Sequence, residues 1–431
     1  MSASVGYPSR VAMISMHTSP LATPGVGDAG GLNVYVAEVA QRLGERGLKV
    51  DVFTRAADTG PEVIEVNEHT RVIRVPAGPR APVVKELLPD LVEEFAAQLD
   101  RRIDDYGLIH SHYWLSGLVG VDLKDRHDIP LVHTMHTMAR VKNAALGVGQ
   151  TGEPDRRERG ESSIVASADA LTANTTDEAF ELRRHYAARP GQIMVVPPGV
   201  DLQTFHPCDQ PKSRAQLGVP QDAQVILFVG RIQPLKAPDV LIRAVAELAR
   251  RDPGRRDRLQ LIIIGSPSGP DAAWSQSLAP LAESLGVADL VSFRPHSARA
   301  DLFRWYCVSD VVGVPSYSES FGLVALEAQA CGRPVVAAGV GGLRHAVVDE
   351  QTGLLVRGHE PGPWADALAA VLDEPGALVT MGANAAGHAS RFSWDNTAAA
   401  TLDAYGMAVQ HVSRGSRPIL SQVRFPAGLW E

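Results

Sequence analysis

The sequence predicts an α/β protein of two doubly wound domains facing each other across a cleft, and three observations predict it. The chain has 431 residues, more than the about 100 to 200 of one ordinary domain. Short apolar runs alternate with stretches whose apolar residues recur at helical spacing, the pattern of strand-helix-strand units with parallel strands buried on both faces. That alternation stops at Pro197-Pro-Gly-Val-Asp-Leu-Gln-Thr-Phe-His-Pro207, a run rich in turn residues, and begins afresh beyond it.

Taken in order, Val11-Ala-Met-Ile-Ser15 reads as a buried strand. Val36, Val39, Ala40 and Leu43 then repeat at helical spacing up to Gly47, and Leu48 to Phe53 is the next strand. Leu108 to His110, Leu131 to His133, Ala170 to Ala173 and Ile193 to Val196 complete the strands of a first domain, 1–203. A second domain, 204–395, has strands at Gln224 to Val229, Leu259 to Gly265, Val291 to Phe293, Val311 to Pro315 and Val335 to Ala338, with a helix from Asp239 to Arg251. A helix over about 396–412 is expected to pack back on the first domain, ahead of a Pro- and Gly-containing tail, 413–431. In open parallel sheets, ligands bind beyond the carboxyl ends of the strands, so the strand-to-helix loops are where chemistry is expected.

Composition narrows the function. Hydrophobic residues make up 45% and charged residues 21%, as in ordinary globular proteins. Lys plus Arg is 41 against 49 for Asp plus Glu, a net charge of −8, which argues against a general polyanion binder and leaves any phosphate site to a local pocket. Cys208, Cys307 and Cys331 are too few and too scattered for a disulfide framework, which fits a reducing cytoplasm. The apolar run after Arg10 is too short for a signal-peptide core, and no stretch reaches the roughly 18 apolar residues that span a bilayer. The expectation is a cytoplasmic protein that binds neither nucleic acid nor membrane.

Four constellations carry chemistry. Gly25-Val-Gly-Asp-Ala-Gly-Gly-Leu-Asn33 joins the first strand to its helix, as a phosphate- or anion-binding loop does, yet matches neither common dinucleotide nor P-loop spacing; a tight turn explains it equally well. Gly230-Arg-Ile-Gln-Pro-Leu-Lys236 places two cations five residues apart at a strand's carboxyl end, either to grip a diphosphate or as solvated surface charges. Ser316-Tyr-Ser-Glu-Ser-Phe-Gly-Leu-Val-Ala-Leu-Glu327 places Glu319 just outside a helix that Ser318 or Ser320 caps near Phe321, with Glu327 about two turns in. Glu327 lies among apolar neighbours and so needs a partner, whereas such carboxylates also accept well from sugar or ribose hydroxyls. His110, His112, His133 and His136 follow two predicted strands, where hydrogen bonding to a polar ligand ranks above zinc because no Cys or carboxylate joins them at ligand spacing. No Asp-x-Asp clamp for a divalent ion occurs, so a diphosphate site here needs cations instead.

Gly30-Gly-Leu-Asn-Val-Tyr-Val36, Gly230 to Lys236 and the Glu319/Glu327 pair resemble the retaining glycosyltransferases of the two-Rossmann GT-B fold, and the resemblance covers both domains. More narrowly, Arg10-Val-Ala-Met-Ile-Ser-Met-His-Thr-Ser-Pro20, Ile109-His-Ser-His-Tyr-Trp-Leu-Ser-Gly117 and His133-Thr-Met-His-Thr137 look like the branch of that family that glycosylates inositol phosphate at the start of mycothiol biosynthesis in actinobacteria. The resemblance implies transfer of N-acetylglucosamine from UDP-GlcNAc to 1D-myo-inositol 3-phosphate with retention at the anomeric carbon. It implies Arg231 and Lys236 on the diphosphate, Glu327 on the ribose, Glu319 on the sugar hydroxyls, Ser297 at the uracil, a loop near Thr23 and Pro24 with Gly31 closing over the donor, and His136 reaching the transferred sugar. For the acceptor it implies His17 with Asp28, Ala29, Gly30, Gly31, Leu32 and Asn33 at the inositol ring, and Lys85, Tyr113, Thr137 and Arg157 at its phosphate.

Arg231, Lys236 and His136 are the expected catalytic residues, with front-face attack and no cofactor needed for the chemistry. A structural magnesium ion is carried in the family at positions matching Tyr306, Cys307, Ser309 and Arg333; Cys307 and Arg333 depart from the family pattern, as does Ala237, where a Gly usually follows the Lys. The resemblance also implies a homodimer, of which the sequence gives no independent sign. The alternatives are a related enzyme with another acceptor, sucrose-phosphate-synthase-like or an inositol-lipid mannosyltransferase, a nucleotide-sugar epimerase on the same fold, and a sugar-nucleotide binding module without turnover.

Overall fold

A computed structural model describes residues 7–25, 27, 29–144, 152–267 and 272–413. The chain divides into two compact units. Of the described residues, the first takes those up to Pro24, those of Gly31–Pro197 and Trp394–Ser413; the second takes those of Gly25–Gly30 and Pro198–Ser393. The division thus falls at Pro197/Pro198 and Ser393/Trp394, inside the run of turn residues rather than after residue 203.

The first unit holds an eight-stranded sheet: β1 (Arg10–Ile14), β2 (Lys49–Arg55), β3 (Val63–Asn67), β4 (Thr70–Val75), β5 (Leu108–His112), β6 (Leu131–Thr134), β7 (Ala170–Ala173) and β8 (Ile193–Val195). Their order is β3-β4-β2-β1-β5-β6-β7-β8. Every neighbouring pair is parallel except β3 with β4. The β3–β4 pair is not anticipated from the sequence, because Glu65, Arg71 and Arg74 interrupt its apolar runs and leave no strong period. The Trp394–Ser413 helix packs on the Gly31–Glu45 helix and on β7. Its Tyr405 hydroxyl meets His110 Nδ1 at 2.9 Å, both groups being buried.

One buried carboxylate joins three strands of this sheet. Asp51 on β2 is 2% exposed and accepts from Arg10 of β1 at 2.7 Å, from Arg71 of β4 at 2.7 Å and from the Tyr106 hydroxyl at 2.6 Å. Burial pushes its carboxyl pKa up, but the bonds from Arg71, Tyr106 and Arg10 outweigh that and hold it below the ordinary value.

The second unit holds β9 (Gln224–Val229), β10 (Leu259–Ile264), β11 (Val291–Arg294), β12 (Val311–Val314), β13 (Val335–Ala338) and β14 (Gly353–Val356), in the all-parallel order β11-β10-β9-β12-β13-β14. The central strands β9, β12 and β13 are buried almost throughout, which is why they read as continuous apolar runs. The Pro238–Arg251 and Pro361–Leu372 helices pack together, with the indole of Trp364 wholly buried. The scattered cysteines do form one bridge: Cys208 and Cys307, 99 residues apart in sequence, are joined, while Cys331 stays free and buried. Sequence distance hides this pairing, because the Gln210–Leu217 helix after Cys208 packs on the Arg299–Val308 helix that holds Cys307. Among the described residues no helix is long and apolar enough to cross a membrane.

Asp51→Asn leaves two arginines and a tyrosine without their shared charge. It is expected to lower the unfolding free energy by about 3 kcal/mol at pH 7, read by urea unfolding. Because the folded pKa of Asp51 is depressed, its contribution is full above the unfolded value of about 4 and is lost as pH falls through the lower folded value, so the gap between variant and parent closes on acidification.

Candidate functional site

Each sheet has a point where the strand order reverses direction, and in an open parallel sheet the loops diverge there to leave a crevice. In the second unit that point lies between β9 and β12. The loop after β9 carries Arg231 and Lys236; the loop after β12 carries Glu319. Lys236 Nζ and Glu319 form an ion pair across this point, each side chain only about one-fifth exposed. Arg231, by contrast, has no carboxylate within ion-pairing distance among the described residues. Gly30, from the glycine-rich segment, comes so close that a Cβ there would stand 3.8 Å from Arg231 Nε, and a Cβ on Gly25 would stand 2.8 Å from His296 Nδ1. Both glycines belong to the second unit, so the loop is more than a tight turn: its bare backbone approaches the loops after β9 and β11. Ser297 follows His296, partly buried, between β11 and the Arg299–Val308 helix.

The element expected to start near Phe321 starts later. Its helix spans Leu323–Ala330 with Gly322 at φ +100° as the residue before it, and neither Ser318 nor Ser320 caps it. Phe321 is 3% exposed, and anchoring that ring in the core leaves the turn to Gly322. Glu327 therefore sits about one turn in, not two. Its partner is Tyr306, whose wholly buried hydroxyl donates to Oε2 at 2.9 Å; Arg299 Nη2 lies 3.9 Å from Oε1. Burial first, then Glu327, pushes the Tyr306 pKa well up, so the hydroxyl keeps the proton it donates. Sequence reading missed Tyr306 and Arg299 as supports of Glu327, and it missed Gly341 and Gly342. A Cβ on Gly342 would stand 2.3 Å from Phe321 Cα, and one on Gly341 2.2 Å from the Glu319 carbonyl oxygen. The Val340-Gly-Gly-Leu343 pattern after β13 was the available signal.

In the first unit the reversal lies between β1 and β5. The loop after β1 carries His17 and β5 runs into Tyr113; the two rings lie 4.4 Å apart. Tyr113 is 4% exposed and held at φ +70°, a conformation unfavourable for a bulky side chain. Lys85 Nζ stands 5.4 Å and the Arg157 guanidinium 5.0 Å from its ring centroid. Arg157 donates to Thr137 Oγ1 at 2.9 Å and to Glu161 at 2.7 Å, and Nη1 lies 2.8 Å from Glu153 without the alignment of a hydrogen bond. His17, Lys85, Tyr113, Thr137 and Arg157 are thus one cluster. The Tyr113 hydroxyl and His17 Nδ1 are buried within it with no hydrogen-bond partner. Burial, then Lys85, His136 and Arg157, lowers the His17 pKa to about 3, so the ring is neutral at pH 7.

His136 joins the cluster's edge. It sits at φ +59°, its Nε2 is 3.0 Å from His112 Nδ1, and burial lowers its pKa to about 3. His133 Nδ1 meets the Ser111 hydroxyl at 2.8 Å and His110 Nε2 meets Thr134 at 2.9 Å. These histidines bond hydroxyls and one another, and among the described residues no group of three or more His, Cys, Asp or Glu could hold a metal. In the remaining loop Asn33 is buried and donates to Thr18 Oγ1 at 2.7 Å and to the Ser19 carbonyl at 2.6 Å. Ala29 is buried, Gly31 opens its helix, Leu32 and Pro24 are half-buried, and Thr23 is exposed; Asp28 lies outside the described residues.

The positions matched to a magnesium ion do not form an oxygen-rich set. The Cys307 sulfur is bonded to Cys208, and the Tyr306 hydroxyl is engaged by Glu327. Ser309 Oγ donates to the Tyr306 carbonyl at 2.8 Å, and the Arg333 guanidinium stands 3.8 Å from Cys208 Sγ. A cation there would face a fixed positive charge, so no step is derived through one.

Residues 209–388 match the family of Glycosyl transferases group 1, and residues 29–204 match Glycosyltransferase Family 4. A D-inositol 3-phosphate glycosyltransferase of Kineococcus radiotolerans is 53% identical over 426 residues, covering 95% of this chain and 98% of the relative. One of Kribbella flavida is 53% identical over 407 residues, covering 93% and 96%. The solved sucrose-phosphate synthase of Thermosynechococcus elongatus is 33% identical with a TM-score of 0.85, covering 94% of this chain and 100% of that one. With about half of its residues identical to such relatives over nearly its whole length, and both halves matched by glycosyltransferase family models, the chain belongs to the D-inositol 3-phosphate glycosyltransferase family of GT-B glycosyltransferases.

Proposed function

We propose that this protein transfers N-acetylglucosamine from UDP-GlcNAc to 1D-myo-inositol 3-phosphate with retention of anomeric configuration, releasing UDP, as the first step of mycothiol biosynthesis. The observation that carries this reading is the first-unit cluster of Lys85, Tyr113, Thr137 and Arg157 beside His17, in a chain 53% identical to relatives named for that acceptor. Two cations and two hydroxyls at a switch point suit one small phosphate on an otherwise acidic protein. The neutral His17 and the buried Asn33 suit the inositol hydroxyls beside it.

On the donor side, Glu327 takes the ribose, Ser297 the uracil and Glu319 the sugar hydroxyls, while Arg231 and Lys236 bind the diphosphate. Arg231 is a fixed fork without a competing carboxylate among the described residues, and Lys236 is a mobile point charge held by Glu319 until a ligand is bound. Attack from the face the leaving group departs would let a phosphate oxygen take the proton of the acceptor hydroxyl, so positive charge on the diphosphate is the main device for lowering the barrier. His136, neutral and steadied by His112, offers hydrogen bonding to the transferred sugar rather than charge. A sucrose-phosphate-synthase-like acceptor is the second reading, favoured by the 33% likeness and ranked below the 53% relatives.

UDP release by the purified protein tests the whole reading. Turnover of UDP-GlcNAc is expected with 1D-myo-inositol 3-phosphate and not with unphosphorylated inositol or sugar phosphates; release with a sugar phosphate instead would move the acceptor to the second reading. Lys236→Ala is expected to lower kcat by about a hundredfold or more with a smaller change in donor KM, and an unchanged kcat would remove its leaving-group role. Because the buried Tyr113 hydroxyl has no protein partner, Tyr113→Phe is expected to leave the melting temperature unchanged or slightly raised while raising the acceptor KM about three- to tenfold.

A further inference from the structure

We infer that the Cys208–Cys307 bridge is a thiol-exchange site whose redox state tunes nucleotide affinity through Tyr306 and Glu327; the inference rests on the assignment of Glu327 to the nucleotide. Three placements carry it. First, the two sulfurs are unequal: Cys208 is partly exposed in the segment before the Gln210–Leu217 helix, whereas Cys307 is wholly buried in the last turn of the Arg299–Val308 helix. A small thiol can therefore reach only Cys208. Second, the Arg333 guanidinium stands 3.8 Å from Cys208 Sγ and favours a thiolate there. Third, Cys307 directly follows Tyr306, whose hydroxyl holds Glu327 at 2.9 Å, and Arg299, which opens the same helix, lies 3.9 Å from the other carboxylate oxygen. One ten-residue helix thus bears two groups that meet Glu327 and the buried half of the bridge.

The reductant is a low-molecular-weight thiol. Its thiolate attacks Cys208 Sγ, the Cys208–Cys307 bond breaks, and Cys307 leaves as a thiolate that takes up a proton. A second thiolate attacks the added sulfur of the mixed disulfide and frees Cys208, so two thiols and one protein disulfide become one small disulfide and two protein thiols. Cys331 does not compete as a nucleophile, because burial pushes its thiol pKa well up. Besides the bridge, Gln210 donates to the Ser309 carbonyl at 2.8 Å, and Arg214 to the Val308 carbonyl at 3.1 Å and to Asp310 at 2.8 Å, so the neighbourhood is expected to stay folded on reduction. What reduction removes is the covalent tie at Cys307, next to the residue that holds Glu327.

The test uses the full chain, oxidised with diamide or reduced with dithiothreitol, with thiols counted by alkylation and mass spectrometry after denaturation and UDP affinity read by calorimetry. One alkylated thiol is expected in the oxidised protein and three in the reduced. UDP is expected to bind the oxidised form about three- to tenfold more tightly, the net worth of one ordinary hydrogen bond. Cys208→Ser should bind UDP as the reduced form does under both treatments, and Cys331→Ser should keep the full response. Tyr306→Phe should bind weakly and ignore redox state, which tests the coupling even if Cys208→Ser fails to fold. Three thiols after diamide would overturn the bridge, and equal UDP affinity of the two forms would overturn the coupling. Binding of UDP by neither form, with the thiol counts as expected, would overturn the donor assignment and the coupling with it. Since UDP binding needs no acceptor, failure with inositol phosphate is read separately.

Discussion

Parallel strand pairing is the constraint on which the rest of this structure depends. A parallel pair needs a crossover, so outside the β3–β4 pair the strands are joined by connections that return the chain to the same edge, and their carboxyl ends point the same way. That puts the loops after β1, β5 and β6 on one edge of the first sheet and those after β9, β11, β12 and β13 on one edge of the second. The reversal of strand order brings together residues far apart in sequence: His17 with Tyr113, and Lys236 with Glu319. Chemistry gathers there because the sheet leaves it nowhere else to gather.

Once these loops are half buried, the cost of desolvating charge selects the partners. Glu327 on a mostly buried helix is met by Tyr306 and Arg299; Glu319 meets Lys236; Arg157, 1% exposed, lies between Glu153 and Glu161 and reaches Thr137. The histidines pay for burial by staying neutral, which turns them into hydrogen-bonding groups rather than charges. Some groups in these clusters are left unpaired. Among the described residues Arg231 has no carboxylate within ion-pairing distance, the Tyr113 hydroxyl and His17 Nδ1 have no hydrogen-bond partner, and Tyr113 and His136 hold left-handed backbone angles that cost on the order of 1–3 kcal/mol each. Unspent polar groups and backbone strain in the same clusters are what a site preorganised for a ligand looks like.

The net charge of −8 is compatible with phosphate recognition because the cations are few and local. Arg231 and Lys236 lie in one loop, Lys85 and Arg157 around one ring, and at a Debye length of about 8 Å in physiological salt the acidic remainder of the surface is largely screened from them.

By itself the sequence determined the doubly wound α/β class, eleven of the fourteen strands among the described residues and the loops that bear the chemistry, because buried parallel strands leave continuous apolar runs and the motifs follow them directly. It did not disclose β3 and β4, whose charged residues are tied to the sheet by Asp51 and not by their own period, nor β14, whose Gly353 and leucines carry no strand signature. It placed the helix after Glu319 two residues early, since a serine cap is a local rule and the anchoring of Phe321 in the core is not. Which carboxylate meets which cation, the support of Glu327 by Tyr306, the pairing of Cys208 with Cys307 and the unsatisfied hydroxyl of Tyr113 were decided by tertiary structure alone. The physical reason is the same in each case: periodicity and turn chemistry act between neighbours in sequence, whereas desolvation and hydrogen-bond satisfaction act between neighbours in space.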